Sequence, residues 1–272
     1  MGRAEPLTPA NTDDALAYLA RRPYDNVYVQ WLLQSGGLAR GGYALVWRDD
    51  AAAVAGFCFF GPQIVPCADD AAALEAFAAH AAGASARMIV GPRPAVEGFW
   101  SHARAALPAP SAIRTSQPVY ALERPALRYS RTDAGVGLAT AAELDEIVPH
   151  SARMIAGEIG GDPTGSSAAF RGRTARIIEA RWWWRYRIDG ELAFMCNVGS
   201  ATPHTAQLQG VWTPPPMRGQ GHATRALGAI CDYLLDEHPT LCLYVNDFNT
   251  AAVALYERVG FERAGEFSTI IL

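Results

Sequence analysis

The chain has 272 residues, half of them hydrophobic and only 18% charged, a composition that suits a globular protein of about two domains and excludes a disordered one. A net charge of −4 without a long basic run excludes an electrostatic footprint for nucleic acid or an anionic membrane, and no apolar stretch is long enough to span a bilayer. Five scattered cysteines, mostly inside apolar runs, and a start (MGRAEPLTPANTDD) without the apolar core of a signal peptide point to a cytoplasmic protein with buried thiols, no disulfides and no metal site.

In chain order, Asn11, Thr12, Asp13 and Asp14 should cap a short helix running to about Arg21, and a second helix follows over 24–34. Segments 43–47 and 54–60 read as a hairpin around Arg48, Asp49 and Asp50. The alanine-rich segment 70–82 reads as helix, 87–90 as a short strand closed by Gly91 and Pro92, 96–106 as helix and 113–122 as strand. Residues 125–135 have no clear periodicity and read as a linker, so the expected division is one domain over 1–128 and another over 135–272.

The second half opens with a strand at 136–139 and a helix from about Ala141, and a glycine-rich break over 157–165 separates this from a helix to about Ala180. Strands 182–188 and 192–199 form a hairpin across Asp189 and Gly190, a strong turn signal. A long strand over 205–213 comes next, then a helix to about Glu237 stopped by Pro239, and a strand at 241–245. A helix over 250–259 ends at Gly260, and 261–272 supplies a final strand pair. The class expected is α/β (α+β).

The most informative stretch lies between the long strand and its helix. Leu208, Val211 and Trp212 close an apolar strand, and Pro214, Pro215 and Pro216 then end any ladder, because proline supplies no donor. Arg218, Gly219, Gln220, Gly221, His222 and Ala223 follow. The small residues at 219, 221 and 223 leave no side chain between the turn and a ligand. The unpaired N–H groups of the first helical turn can therefore point at an anion, helped by the positive end of the helix dipole.

These residues match the R/Q-x-x-G-x-G/A signature of the GNAT superfamily of acyl-CoA-dependent N-acetyltransferases. Asn249, Ala252, Leu255 and Tyr256, followed by Gly260 and Phe261, match its second motif, N-x-x-A-x-x-L-Y with a following G-F. The resemblance covers about 135–272, and the whole chain is similar to two-part bacterial proteins whose first half is a degenerate GNAT-like domain. No matching turn occurs before residue 135, so the first half is not expected to bind CoA.

The resemblance implies two GNAT-like lobes, each a mixed, mostly antiparallel sheet flanked by helices, with acetyl-CoA as co-substrate and no metal. It implies that the amides of Arg218, Gly219, Gln220, Gly221, His222 and Ala223 receive the CoA pyrophosphate. Val211, Trp212 and Thr213 would splay from the neighbouring strand and pair with the pantetheine amides. Asn249 would face the pantetheine arm and Tyr256 would approach the sulfur. Positions 249, 252, 256 and 259 share one helical face, which fits this independently.

Acyl transfer requires an amine that has lost its proton, and the departing thiolate benefits from a donor. Tyr256 is the candidate donor, set against the plainer reading of a tyrosine packed in the core. Many relatives carry a glutamate on the strand before the turn; Gln207 and Gln209 stand there instead, and neither takes a proton. Glu158, in the glycine-rich break, is the candidate base. His222 is expected to present only its backbone N–H. Glu191, His204 and His238 are expected at the surface, and Asp232 with Asp236 on a solvated helix face. Trp183 should pack inward, with Trp182, Trp184 and the arginines on the other sheet face.

The implied activity is transfer of an acetyl group from acetyl-CoA to a primary amine of a small molecule or peptide by direct attack, in a monomer or homodimer. A non-catalytic acyl-CoA sensor or scaffold is the alternative.

Overall fold

A computed structural model describes residues 2–130, 135–159 and 167–272, with backbone alone for 39, 40, 158 and 159. The first ten elements are β1 (Arg3–Pro6), α1 (Thr12–Leu19), α2 (Pro23–Gln34), β2 (Tyr43–Arg48), β3 (Val54–Phe60), β4 (Ile64–Ala68), α3 (Ala71–Ala78), β5 (Met88–Pro92), α4 (Arg93–Ala103) and β6 (Ala112–Glu123). The next ten are β7 (Val136–Leu138), α5 (Leu144–Ile159), α6 (Ser167–Glu179), β8 (Trp183–Ile188), β9 (Glu191–Ala201), β10 (Thr205–Trp212), α7 (His222–Leu234), β11 (Thr240–Tyr244), α8 (Thr250–Val259) and β12 (Glu262–Ile271). Both sets run β-α-α-β-β-β-α-β-α-β, an architectural repeat without a residue-level one.

The chain forms two compact units. The first is Met1–Tyr120 with Tyr244–Thr250 and Arg263–Leu272; the second is Ala121–Leu243 with Ala251–Glu262. Two C-terminal segments thus return to the first unit, where the sequence suggested one boundary in a linker. The first unit carries the strand order β1-β2-β3-β4-β5-β12-β6, with β4 parallel to β5 and β1–β2, β2–β3, β3–β4 and β5–β12 antiparallel. The second carries β11-β10-β9-β8-β7, with β10 parallel to β11 and the other pairs antiparallel. Each unit is therefore a mixed, mostly antiparallel lobe flanked by helices.

Alternation along the strands fills both faces of the first sheet. Leu45, Trp47, Cys58, Phe60 and Ile64 pack with Leu74 and Phe77 of α3 and Val96 and Phe99 of α4. The intervening Ala44, Val46, Phe57, Phe59 and Val65 pack with Ala15 and Leu19 of α1 and Val29 and Leu32 of α2. Side chains that point to opposite faces at period two produce this division. In the second unit, Trp183, Leu192 and Met195 pack with Ile147 of α5 and Ile178 of α6.

Several local expectations change. β4 escaped notice because Pro66 lies inside it and proline argues against an interior strand. Residues 261–272 supply one long strand instead of a pair, since Gly265 lies within β12 without a left-handed turn. Asn11 does not cap α1 with its side chain: its Oδ1 accepts from Thr8 N at 2.7 Å and its Nδ2 donates to Pro6 O at 3.1 Å, which locks the preceding turn. The hairpin at Asp189 and Gly190 has positive φ at both residues, 49° and 85°, as a type I′ turn requires.

Candidate active site

The parallel ladder between β10 and β11 runs from Thr205↔Thr240 to Gln207↔Cys242, and among the described residues it stops there. β10 goes on to Trp212 beside β9. Between Gln209↔Asn197 and Trp212↔Met195, three steps on β10 oppose two on β9, so the strand bulges. Gly210 makes the bulge possible: its φ is 64°, and Asn197 Oδ1 stands where a side chain would begin. Beyond Gln207 the edge of β10 that faced β11 has no further ladder partner from that strand among the described residues, an arrangement to which an extended ligand can add.

The chain then passes a short 3-10 turn, Pro215–Met217, and enters the glycine turn. Gly219 and Gly221 adopt left-handed φ values of 75° and 78°, with nothing within 4 Å of the point where a side chain would start. Arg218, Gly219, Gln220 and Gly221 are exposed. Gly221 is the N-cap of α7 and brings no side chain to cap it, so the first amides of α7 lack intrahelical acceptors. Arg218 pins the turn to the strand: its guanidinium lies 4.7 Å above the Trp212 ring, and Nε donates to Thr213 O at 3.0 Å. Gln220 Nε2 donates to Pro216 O at 3.0 Å. The His222 ring is more than a bystander: it meets Gln220 Oε1 at 3.2 Å and Arg225 at 2.9 Å, with the Tyr186 ring 6.2 Å away.

Tyr256 belongs to the same unit as this turn and is 5% exposed, its ring edge-on to Phe261 at 6.0 Å. Asn249 is exposed directly before α8, its backbone N–H bonded to Asn246 O at 2.9 Å, and belongs to the other unit.

On β10, Gln207 is buried, and its Oε1 accepts from Ser200 Oγ at 3.4 Å and from Gln209 Nε2 at 3.1 Å. A neutral ladder thus replaces the strand carboxylate. Glu158 closes α5, and its side chain lies outside the described residues. The same helix carries His150, which no sequence motif marks. Its Nδ1 is buried and has no hydrogen-bond partner among the described residues. Burial, and then the Arg153 charge, hold its pKa below the ordinary value, so it is neutral at pH 7. One turn further along the same face, Met154 places its methyl 3.8 Å from the point where a Gly210 side chain would begin. A single histidine on an amphipathic helix gives no motif, so the sequence offered little signal.

Three other expectations are corrected. Arg185 and Arg187 share the face of Trp183, held by Glu143 of the turn before α5: their Nε atoms donate to its Oε1 at 2.9 and 3.0 Å. Against the burial that would raise it, the Thr140 amide and these guanidiniums hold the Glu143 carboxyl below its usual range. Arg187 also pairs with Glu146. The other face of β8 is covered too: Trp184 stacks on Tyr233 of α7 at 5.5 Å. Asp232 and Asp236 are not simply solvated, because Arg124 grips them at 2.6 and 2.7 Å and Asp232 is buried. His238, half-buried, bonds to Thr202 O at 2.9 Å, whereas His204 and Glu191 are exposed.

Among the described residues there is no cluster of three or more His, Cys, Asp or Glu side chains that would hold a metal, and no helix is long and apolar enough to cross a membrane.

Strands whose ladder ends before a glycine turn at a helix N-terminus can take an extended ligand that carries an anion. The sequence model of the Acetyltransferase (GNAT) family matches residues 119–261, more than half of the chain, and the protein belongs to this family. It is an acyltransferase, and the family uses acyl-CoA as co-substrate and acts on amine acceptors. A domain of unknown function, DUF4081, matches residues 44–147. Among curated proteins, none matches the chain.

Solved structures share the fold at low identity. An acetyltransferase of the GNAT family from Colwellia psychrerythraea is 13% identical with a TM-score of 0.62, covering 99% of each chain. A GCN5-related N-acetyltransferase from Sphaerobacter thermophilus is 16% identical with a TM-score of 0.61, over 98% of this chain and 94% of that one. A tandem GNAT protein from the clavulanic acid biosynthesis pathway is 16% identical with a TM-score of 0.56, over 100% of this chain and 98% of that one.

Proposed function

We propose that the protein transfers an acetyl group from acetyl-CoA to a primary amine of a small molecule or peptide by direct attack. The observation that carries this reading is the parting of β10 from β11 after Gln207↔Cys242, followed by the exposed left-handed glycines at the start of α7. Residues 135–272 would form the acetyltransferase region and 1–128 a degenerate GNAT-like region that takes no CoA. The amides of Arg218 through Ala223 would receive the pyrophosphate. Val211, Trp212 and Thr213 would pair with pantetheine, and a backbone N–H of this strand would polarise the thioester carbonyl. Asn249 would orient the pantetheine arm.

The amine attacks the thioester carbon, the C–S bond breaks, the amine proton goes to a base and the CoA sulfur takes a proton from the Tyr256 hydroxyl. We assign the base to His150, whose buried, unbonded nitrogen lies on the face of α5 that reaches the β10 bulge. Glu158 is the competing assignment. Because the His150 pKa is lowered, its basic form is present above a value below 6.5, and turnover should fall as pH drops through that value. In His150→Gln the rate should fall and this acidic limb should disappear; a limb that survives near the carboxylate range, about pH 4–5, would return the role to Glu158.

The reading itself is tested by thiol release from acetyl-CoA with a panel of lysine peptides, polyamines and amino sugars. Acetyl-CoA binding without amine-dependent thiol release across that panel would favour the sensor or scaffold, which Gln207 and Gln209 in place of a strand carboxylate would suit.

A further inference from the structure

The first unit contains a cavity whose lining includes none of the residues assigned to acetyl transfer above. β4 and β5 are its only parallel pair among the described strands, registered at Ile64↔Ile89, and a cavity of about 230 Å³ opens at their C-terminal ends, walled by Ala68, Pro92 and Ala95. The C-terminal ends of parallel strands are where open α/β sheets take their ligands. By element order this is the counterpart of the gap between β10 and β11. Its anion site, however, is closed: Asp70 caps α3 by accepting from Ala72 N at 2.8 Å, and Asp69 stands beside it. Carboxylates at the start of this helix repel phosphate.

The lining of the cavity is specific. Asn26 is 4% exposed, and its Nδ2 donates to Leu19 O at 2.9 Å. A carbonyl accepts only a donor, so the amide is fixed in this orientation, and its Oδ1 is left buried with no partner among the described residues. That oxygen calls for a donor. At the rim, Arg22 is neutralised by Asp69 through two bonds of 3.0 Å. Arg21 instead lies 5.5 Å over the Tyr18 ring and forms no ion pair among the described residues. The Tyr18 hydroxyl is committed to Cys67 O at 3.1 Å, and burial pushes its pKa up to about 12, so it brings no charge.

We propose that this cavity binds a free α-amino acid, its carboxylate on Arg21 and an N–H donor on Asn26 Oδ1. At about 230 Å³ the cavity lies just under the range of about 300–1,000 Å³ typical of pockets for drug-sized ligands, which suits a smaller ligand of amino-acid size.

The test is calorimetric titration of the full-length protein with each of the common free amino acids and with the methyl ester of any that binds. Saturable binding of at least one is expected, lost in its ester and weakened at least about tenfold in Arg21→Gln. Ala95→Leu should abolish binding by filling the cavity. If Ala95→Leu lowers the melting temperature too far, Arg21→Gln and the ester keep the test decisive, because Arg21 is exposed. No saturable binding across the set would overturn the proposal and leave water on Asn26. Binding that survives Arg21→Gln and esterification would overturn it too, by placing the ligand elsewhere. Unchanged acetyl-CoA binding in the variants serves as the control for folding.

Discussion

Replacing Gly221 by glutamate is expected to abolish acetyl-CoA binding. The residue is the N-cap of α7 with φ 78°, and the space where its side chain would start is open for 4 Å. A glutamate there would stand in that space with a negative charge at the end of the helix that attracts anions. Two unit charges 4 Å apart repel by about 1 kcal/mol in water and about 4 kcal/mol near a protein surface, so each phosphate charge would weaken binding about fivefold to a thousandfold. Left-handed backbone also strains any L side chain, which makes Gly221→Gln the necessary partner. Glutamine shares the strain and bulk without the charge, and it should retain part of the affinity. Calorimetry showing wild-type affinity in Gly221→Glu would remove the pyrophosphate from this turn.

Tyr256→Phe is expected to slow acetylation by about 10²–10⁴-fold, the usual range of general-acid catalysis, while the KM for acetyl-CoA moves little. The substitution deletes only the hydroxyl and keeps the ring that packs edge-on against Phe261. A tyrosine that served packing alone would give near-normal turnover with some loss of thermal stability. Product release can hide a chemical step in steady-state kcat, so single-turnover acetylation is the measurement. Wild-type single-turnover rates in the phenylalanine variant would make Tyr256 a packing residue and leave protonation of the thiolate to water.

What the sequence made legible was short-range. The left-handed pair at Asp189 and Gly190, the glycine turn and the start of α8 each depend on a few adjacent residues whose backbone preferences are strong. What escaped was set at long range. β4 contains Pro66, and only its burial between neighbours makes it a strand. Asp232 and Asp236 look like any solvated pair until Arg124, more than a hundred residues earlier, grips them. Arg185 and Arg187 read as outward residues because Glu143, in the turn before α5 that holds them, is invisible from β8. For His150 the burial itself is the signal, and a lone helical histidine carries none of it in sequence.

The return of β12 to the first unit bears on how this protein is made. Phe267 to Ile271 pair with Pro92 to Met88, so that unit has a vacant row in its sheet until β12 is synthesised. A ribosome adding about 5–20 residues per second needs roughly eight to thirty seconds to pass from Tyr120 to Ile271. Throughout that interval the nascent first unit exposes strand edges of the kind that invite wrong partners. A fragment ending near residue 128 would keep this defect permanently, so binding studies on the first half alone would interrogate an unfinished sheet. The same arrangement makes the chain a candidate for fragment complementation: of two pieces cut at residues 131–134, the second would hold the strand that completes the first unit's sheet.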